Sequence, residues 1–460
     1  MAFGDYMNSP RANDEMGYRI GVFGHYGHHN MGDEAITEAV IQNLRRRCLS
    51  VRLSGFSMDP EDTTRRYGIP AYRIRRQGSE APENAVDGKA ARGQETPGTH
   101  RFRNSAIREY LKRFALLRYL VRSLRFALRL PQELWRESVF LRDSYRIAKG
   151  VDAFIVAGSN QFLDNFGGVW GYPYTVLKWT VLARCAGARI VFLSVGAGPI
   201  DSIWSRILVR ASLSLADYAS FRDAGSRRLI EWAGSRKSWR VCPDLARSLE
   251  VRRQPARQGD RLPTVAINPM PVYDRRSWCE PDDARYERYV GQLAQFVSRL
   301  MRERFPVFFF TTQPSDNSVI DDVVARIDGR PLGFSGDLKR KTSRSVDEVM
   351  AVLGSADIVV ATRYHGTVLG LHAGRPVLGI CYYRKTREVL QTMGQEAYAV
   401  DIDGLDHEDL WRRFQLLASN RVAEARTIER LSEAVETRLA AQYDDVLKIL
   451  GVPVECKGVP

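Results

Sequence analysis

The sequence predicts an α/β protein of two domains, each a parallel sheet covered by helices on both faces. Three observations predict it. Short apolar runs alternate with helix-periodic runs along most of the chain, the pattern of strands joined by crossover helices. The 460 residues exceed one ordinary domain, and 44% hydrophobic content suffices for two cores. A polar, apolar-poor stretch, Gln254 to Pro263, divides the strand-like runs into two sets.

Taken in order, Tyr18–Phe23 reads as the first strand. Gly32–Arg47 reads as its helix, with Ala35, Ile36, Ala39, Val40 and Leu44 on one face. Further strands are expected at Ala153–Ala157, Arg189–Val195, Tyr218–Phe221 and Arg240–Cys242. The second set is Thr264–Asn268, Pro306–Thr311, Ile358–Ala361 and Pro376–Cys381. The boundaries that follow are a tail at 1–17, an N-terminal domain at 18–253, a linker at 254–263, a C-terminal domain with terminal helices at 264–450, and a tail at 451–460. Residues 77–99 are rich in Gly, Pro, Ala, Glu and Gln and are expected to be a disordered insertion.

Residues 100–150 hold thirteen Lys and Arg against four Asp and Glu. Ile107, Leu111, Phe114, Leu117, Leu120, Val121, Leu124 and Leu128 recur at three- and four-residue steps. This predicts a basic amphipathic helical insertion, broken at Pro131. Two readings stand side by side: a helix lying on an anionic membrane surface, and an ordinary basic face whose apolar stripe packs on the domain. Nucleic-acid binding ranks below both, because no recognition motif is present and the aromatics do not interleave as a stacking platform.

The net charge of +14 points to an anionic partner. The six cysteines, at 48, 185, 242, 279, 381 and 456, form no CxxC pair, which speaks against a zinc site or a disulfide framework and suits a reducing compartment. The first seventeen residues lack the apolar core of a signal peptide, and no run approaches the ~18 apolar residues of a membrane span. A cytoplasmic protein is expected.

The chemistry gathers where strands end, as it does in open α/β sheets. Gly24-His25-Tyr26-Gly27-His28-His29-Asn30-Met31-Gly32-Asp33-Glu34 joins the first strand to the first helix. Its glycines allow a ligand close to backbone N–H groups, and Asn30 or Asp33 can cap the helix. It is neither a dinucleotide fingerprint nor a P-loop. Its three histidines are bunched without an outside partner, so no metal is expected. Gly196 and Gly198 of Ser194–Pro199 provide either close substrate approach or turn geometry. Arg222 of Phe221-Arg222-Asp223 can hold a carboxylate or phosphate, or pair with Asp223 at a helix start. Asp244 ends the next strand. Thr362-Arg363-Tyr364-His365-Gly366 places an arginine and a titratable group beside a helix N-terminus, and Lys385 follows the neighbouring strand.

Set in order over residues 20–395, these pieces resemble the polysaccharide pyruvyl transferase family. The matching stretches are Asn30 to Ile36, Val195 to Pro199, Arg222-Asp223 with Ser226, Pro243-Asp244, Thr362 to Gly366, and Pro376 through Lys385. The chain departs from the family's Gly-Gly-Gly turn, with Ala157-Gly158-Ser159-Asn160 in its place, and its basic insertion lies outside the family pattern. The resemblance implies two Rossmann-like domains facing a cleft, similar to GT-B glycosyltransferases. It also implies transfer of pyruvate from phosphoenolpyruvate to sugar hydroxyls as a cyclic ketal, with no cofactor besides the donor.

The family's arginine–histidine motif falls on Arg363 and His365, and its other functional arginine on Arg222. Gly24, Asn30, Asp33, Gly196, Gly198, Asp244 and Lys385 are the expected substrate contacts. Arg222, Arg363 and Lys385 supply the cations that a phosphate and a carboxylate need. His365 is the expected general acid, with a pKa near neutrality. Asp33 and Asp244 are both open as the base. The acceptor is a saccharide of a cell-surface polysaccharide, free or lipid-linked. A lipid-linked acceptor would place the protein at the inner face of the cell membrane, in peripheral contact through 100–150. A nucleotide-sugar glycosyltransferase and a non-catalytic binding protein on the same fold remain as alternatives.

Overall fold

The computed structural model describes residues 17–27, 30–76, 131–165, 167–234, 239–251, 253–254, 261–327 and 339–453. Readings placed on 77–130 and on most of both tails and the linker lie outside these residues.

The N-terminal half runs β1 (Arg19–Phe23), α1 (Met31–Arg47), β2 (Arg52–Ser57), α2 (Pro60–Tyr67), β3 (Ala71–Arg73), α3 (131–148), β4 (Ala153–Ala157), α4 (Tyr172–Cys185), β5 (Arg189–Val195), α5 (Ile203–Ser214), β6 (Tyr218–Phe221), α6 (Ala224–Trp232) and β7 (Arg240–Val241). Its sheet is parallel, in the order β3-β2-β1-β4-β5-β6-β7. The C-terminal half runs β8 (Val265–Asn268), α7 (Asp283–Arg302), β9 (Val307–Phe310), α8 (Asp316–Ala325), β10 (Lys339–Lys341), α9 (Val346–Gly354), β11 (Ile358–Ala361), α10 (Tyr364–His372), β12 (Val377–Cys381), α11 (Arg384–Thr392), β13 (Ala399–Asp401) and α12 (His407–Leu450). Its sheet is also parallel, in the order β10-β9-β8-β11-β12-β13. In both sheets the strand order reverses beside the first strand, and the crevice that a doubly wound sheet offers a ligand opens there.

The central strands read clearly in the sequence because both faces are buried. Every side chain of β4, β8 and β11 is buried, and such strands are continuous apolar runs. Four strands escape that signal. β2 carries Gly55 in its interior, where a methyl group would come within 2.8 Å of Thr63 Cγ2. β3, β10 and β13 are three residues long. All three lie at sheet edges, and β10 is Lys-Arg-Lys, a charged edge that discourages further pairing.

Two apolar layers sandwich the N-terminal sheet. Trp179 of α4 stacks on Phe154, donates its indole N–H to the Ile74 carbonyl 2.9 Å away, and centres the layer formed by α3, α4, α5 and α6. The opposite layer contains α1 and is continuous with side chains of the C-terminal sheet, so the halves share an apolar cluster. Helix α12 ties them together. Its first turns bury Trp411 and Phe414 against Phe296 and Phe305. Its last turns return to the N-terminal sheet, where Gln442 donates to Ser220 at 2.6 Å and accepts from Ser194 at 3.2 Å. Among the described residues no helix is long and apolar enough to cross a membrane.

Candidate functional site

The carboxyl ends of β4, β5, β6 and β7 from one half meet those of β11 and β12 from the other. The fold holds the halves close here. The Met31 N–H donates to the Thr312 carbonyl at 2.9 Å, and the Tyr364 hydroxyl donates to Asp244 at 3.3 Å. Gly32 lies flat against the His365 imidazole: a methyl group there would come within 1.9 Å of Nδ1. Close approach, not a special backbone angle, is what requires glycine at this position.

Arg222 is the buried centre of the site. Its Nη1 donates to Asp244 at 3.3 Å, its Nη2 donates to Asn160 Oδ1 at 3.3 Å, and its buried Nε has no hydrogen-bond partner among the described residues. Its guanidinium lies 4.7 Å from the Tyr364 ring centroid, and Lys385 Nζ lies 5.2 Å from the same centroid. Tyr364 therefore spaces two cations that would otherwise repel. Asp223 caps α6 through the Ser226 N–H, so its tie to Arg222 is the weaker one, at 3.9 Å. Gly196 leaves room for the guanidinium: a methyl group there would be 2.7 Å from Nε and Nη2.

Arg363 is anchored differently from its expected role as an open cation. Its Nε binds Asp316, a fully buried carboxylate, and its Nη2 donates to Ser315 Oγ at 3.0 Å. Asp316 in turn accepts the Thr312 and Gln313 N–H groups at 2.9 and 3.0 Å. Lys385 makes no ion pair with any described carboxylate. Burial, with Arg222 nearby, holds its ammonium down to a pKa of about 7, although Asp223, Asp244 and Asp33 pull the other way.

His365 corrects the expectation of a near-neutral pKa. Burial first, then Arg222, Lys385 and Arg363, push it down to about 3 against the opposing pull of Asp244. The resting imidazole is neutral, and its buried Nε2 has no partner among the described residues. The carboxyl of the cluster poised toward neutrality is Asp33, raised to about 6 by burial despite a hydrogen bond from Ser159 and the charge of Arg222. Asn30 caps α1 through the Gly32 N–H at 3.1 Å and donates to Asp33 at 2.7 Å.

Gly24 and Gly198 are packed by their own neighbours at the rim of this cluster. The space at Gly24 is filled by the Tyr26 ring, 2.8 Å from where a methyl would sit. Gly198 turns the chain at φ 106° against Leu229, although its carbonyl accepts from Asn160 Nδ2 at 3.0 Å. Of the loop histidines, His25 is buried with Nδ1 2.6 Å from Gln161 Oε1, and 28 and 29 lie outside the described residues. Sequence reasoning missed Asn160, Ser159, Tyr364 and Asp316 as working parts. For the first two a signal existed, because the unusual Ala157–Asn160 turn follows a strand at the rim where the motifs gather.

Two helices open onto the cluster without a side-chain cap. Arg363 and Tyr383, which precede α10 and α11, make no capping bond, unlike Asn30 before α1 and Asp223 before α6. Uncapped N-terminal N–H groups suit an anion. Beyond the Arg363–Asp316 pair, a cavity of about 530 Å³ lies between α2 and the loops after β9 and β10, where Arg65, Arg66 and Arg344 line it together with Thr312, Gln313 and Asn317.

The model of the polysaccharide pyruvyl transferase family matches residues 30–383, which include Asn30, Asp33, Arg222, Asp244, Arg363 and His365, with Lys385 just beyond the matched stretch. The chain belongs to the polysaccharide pyruvyl transferase family. It is thereby a member of a transferase family of polysaccharide biosynthesis, whose acceptors are saccharides. None of the curated proteins matches the chain.

Solved structures resemble it in fold only. A Listeria monocytogenes protein described as a candidate UDP-N-acetylglucosamine 2-epimerase superimposes with a TM-score of 0.56 at 8% identity, over 94% of this chain and 96% of its own. The UDP-GlcNAc 2-epimerase from Neisseria meningitidis bound to UDP-GlcNAc gives 0.53 at 10%, over 94% and 100%. An Anabaena protein in complex with UDP and glucose gives 0.51 at 10%, over 94% and 99%. The fold is the two-domain GT-B type that the sequence predicted.

Proposed function

We propose that this family member transfers the pyruvyl group of phosphoenolpyruvate to two hydroxyls of one acceptor sugar, releasing inorganic phosphate and leaving a cyclic ketal. One observation carries the reading. The uncapped N-termini of α10 and α11 open beside Lys385, which has no described carboxylate partner, and beside the unpartnered Nε2 of His365. Phosphate and carboxylate on a three-carbon donor match such a place, with Arg222 and Arg363 alongside. The donor needs no cofactor. The acceptor sugar reaches it through the arginine-flanked cavity beside Asp316, and belongs to a cell-surface polysaccharide or its lipid-linked precursor, met at the inner face of the membrane.

The neutral His365 gives the chemistry a definite order. As the first sugar hydroxyl adds to C2 of the enol phosphate, Nε2 accepts its proton and returns it to the methylene carbon, which becomes the methyl group. The C2–O–phosphate bond then breaks and phosphate leaves with the bonding pair. The second hydroxyl closes the ketal at C2, and its proton passes through a carboxylate to the departing phosphate. Asp33 is the base for this second proton; Asp244, held by Arg222 and Tyr364, positions the cations. A nucleotide sugar would also place phosphates at these helix ends. The protein is expected to be stabilised against heat by phosphoenolpyruvate and not by nucleotide sugars, and to release phosphate only when a saccharide acceptor is added. Stabilisation by a nucleotide sugar alone would overturn the assignment.

The pH dependence follows from Lys385. An amine is cationic below its pKa and neutral above it. Capture of an anionic donor by the free protein therefore falls as pH rises through about 7. kcat/KM for phosphoenolpyruvate is expected to drop about tenfold for each pH unit above that point. Lys385→Arg is expected to shift this limb beyond pH 9, because a guanidinium keeps its charge. An unchanged alkaline limb in that variant would remove Lys385 from donor capture.

A further inference from the structure

The layer of α3, α4, α5 and α6 that packs on one face of the N-terminal sheet turns an unusual surface outward. Its inner side is apolar and buried, as expected. Its outer side exposes Trp204 at 65%, Ile203 at 58% and Ile207 at 48% on α5, Trp232 at 60% on α6, Trp170 at 76% just before α4, and Trp135 at 70% on α3. Ile203, Trp204 and Ile207 stand at positions i, i+1 and i+4, so they share one side of α5. Four of the eight tryptophans of the chain lie on this layer in the open. Soluble surfaces do not ordinarily collect large aromatic groups in this way.

On α5 the charge has one sign, with Arg206 and Arg210 and no acid. The Arg206 guanidinium stacks 3.8 Å from the Trp232 ring centroid. On α6, Arg227 pairs with Glu231 at 3.4 Å and Arg228 with Glu388 at 3.9 Å, and α3 balances Arg136, Arg142 and Arg146 with Glu133, Glu137 and Asp143, so the net positive charge sits on α5 and α6.

Tryptophan and isoleucine ringed by arginine is the composition of a surface that sits at the headgroup level of an anionic bilayer, where the indoles enter the interface and the cations meet phosphate. We infer that the outer face of α5 and α6, continued by Trp170 and Trp135, docks on an anionic lipid bilayer. The occupant is chosen by charge. A second copy of this chain would bring arginine against arginine, whereas anionic headgroups match it. The inference deepens the proposed lipid-linked acceptor but is read out by binding alone, so it stands or falls apart from the donor assignment.

The test uses the full chain with vesicles of phosphatidylcholine containing about one third phosphatidylglycerol, and with phosphatidylcholine alone. Co-flotation with the anionic vesicles at low salt, a blue shift of tryptophan emission, and loss of both at high salt are expected. Trp204→Glu combined with Ile207→Glu, both at exposed positions, should lower the bound fraction at least tenfold while leaving phosphate release with a soluble acceptor unchanged. Binding undiminished in that variant overturns the inference, as does equal binding to uncharged vesicles. Protection of Trp204 from acrylamide without vesicles, with Trp204→Phe identifying its emission, also overturns it. In that case residues 100–130 or a second copy covers the face.

Discussion

His365→Ala is expected to lower phosphate release from phosphoenolpyruvate by about 10²–10⁴-fold, the usual worth of a positioned proton carrier. Donor affinity should change little, because the neutral imidazole contributes no charge to the anion. The split between kcat and KM is therefore the informative readout. A loss confined to kcat is expected, and turnover within about threefold of the unmodified protein would remove His365 from the chemistry. The pH profile adds a second check. Since burial and three cations hold the imidazole at about 3, His365 contributes no limb of its own near neutrality, and the alkaline limb through about 7 should persist in His365→Ala because it belongs to Lys385. Any acid limb should lie near 6 and disappear in Asp33→Asn. Gly32→Ala provides a control in which His365 is still present. A methyl group 1.9 Å from Nδ1 must displace the ring, so activity should fall even though no catalytic atom has been removed.

How far the sequence foretold this site depends on where each residue sits. Arg222, Asp244, Arg363, His365 and Lys385 could be picked out because each follows an apolar run, and the ends of parallel strands face one crevice. What a strand-end position cannot tell is which charge is already matched. Arg363 reads as an open cation until Asp316 is seen beneath it, and Asp316 opens α8 after a polar loop that no motif marks. The same limit explains the histidine. Near neutrality is the ordinary expectation for an imidazole, and only the packing of Gly32 and the gathering of Arg222, Lys385 and Arg363 move it.

The Ala157–Asn160 turn is the opposite case, a departure from the family pattern that the structure puts to use. Ser159, at φ 56°, hydrogen-bonds Asp33, and Asn160 accepts from Arg222. In the fold, β4, β5 and β6 were legible to the residue because burial on both faces leaves runs that are mostly apolar, interrupted only by Arg189 and Ser194 in β5 and Ser220 in β6. β2 was hidden by Gly55, whose meaning lies in its neighbours Thr63 and Tyr26.

Arg222→Met is expected to cost both stability and activity, and Arg222→Lys to separate the two. The guanidinium is 7% exposed and Asp244 5%, so the methionine leaves a buried carboxylate with only the Tyr364 hydroxyl and a backbone N–H to satisfy it. Removing one partner of such a pair costs about 3–5 kcal/mol. The loss should also be pH-dependent with a definite sign. Without Arg222, the charge that restrains the buried Asp33 is lost. Its folded pKa, already raised to about 6, rises further above the unfolded value, so the variant is most destabilised at neutral pH and recovers as the pH is lowered and this carboxyl takes up its proton.

Lysine restores one positive charge but not the fork that reaches Asp244 at 3.3 Å and Asn160 at 3.3 Å at once. Arg222→Lys should therefore fold with most of the stability regained, while donor capture stays weak because the ammonium cannot hold Asp244 and meet a carboxylate or phosphate together. Thermal unfolding of both variants between pH 5 and 8, with and without phosphoenolpyruvate, reads the two effects separately. If Arg222→Lys recovers donor stabilisation along with folding, the arginine serves the structure of the cleft and the donor is held by Lys385 and the helix ends alone.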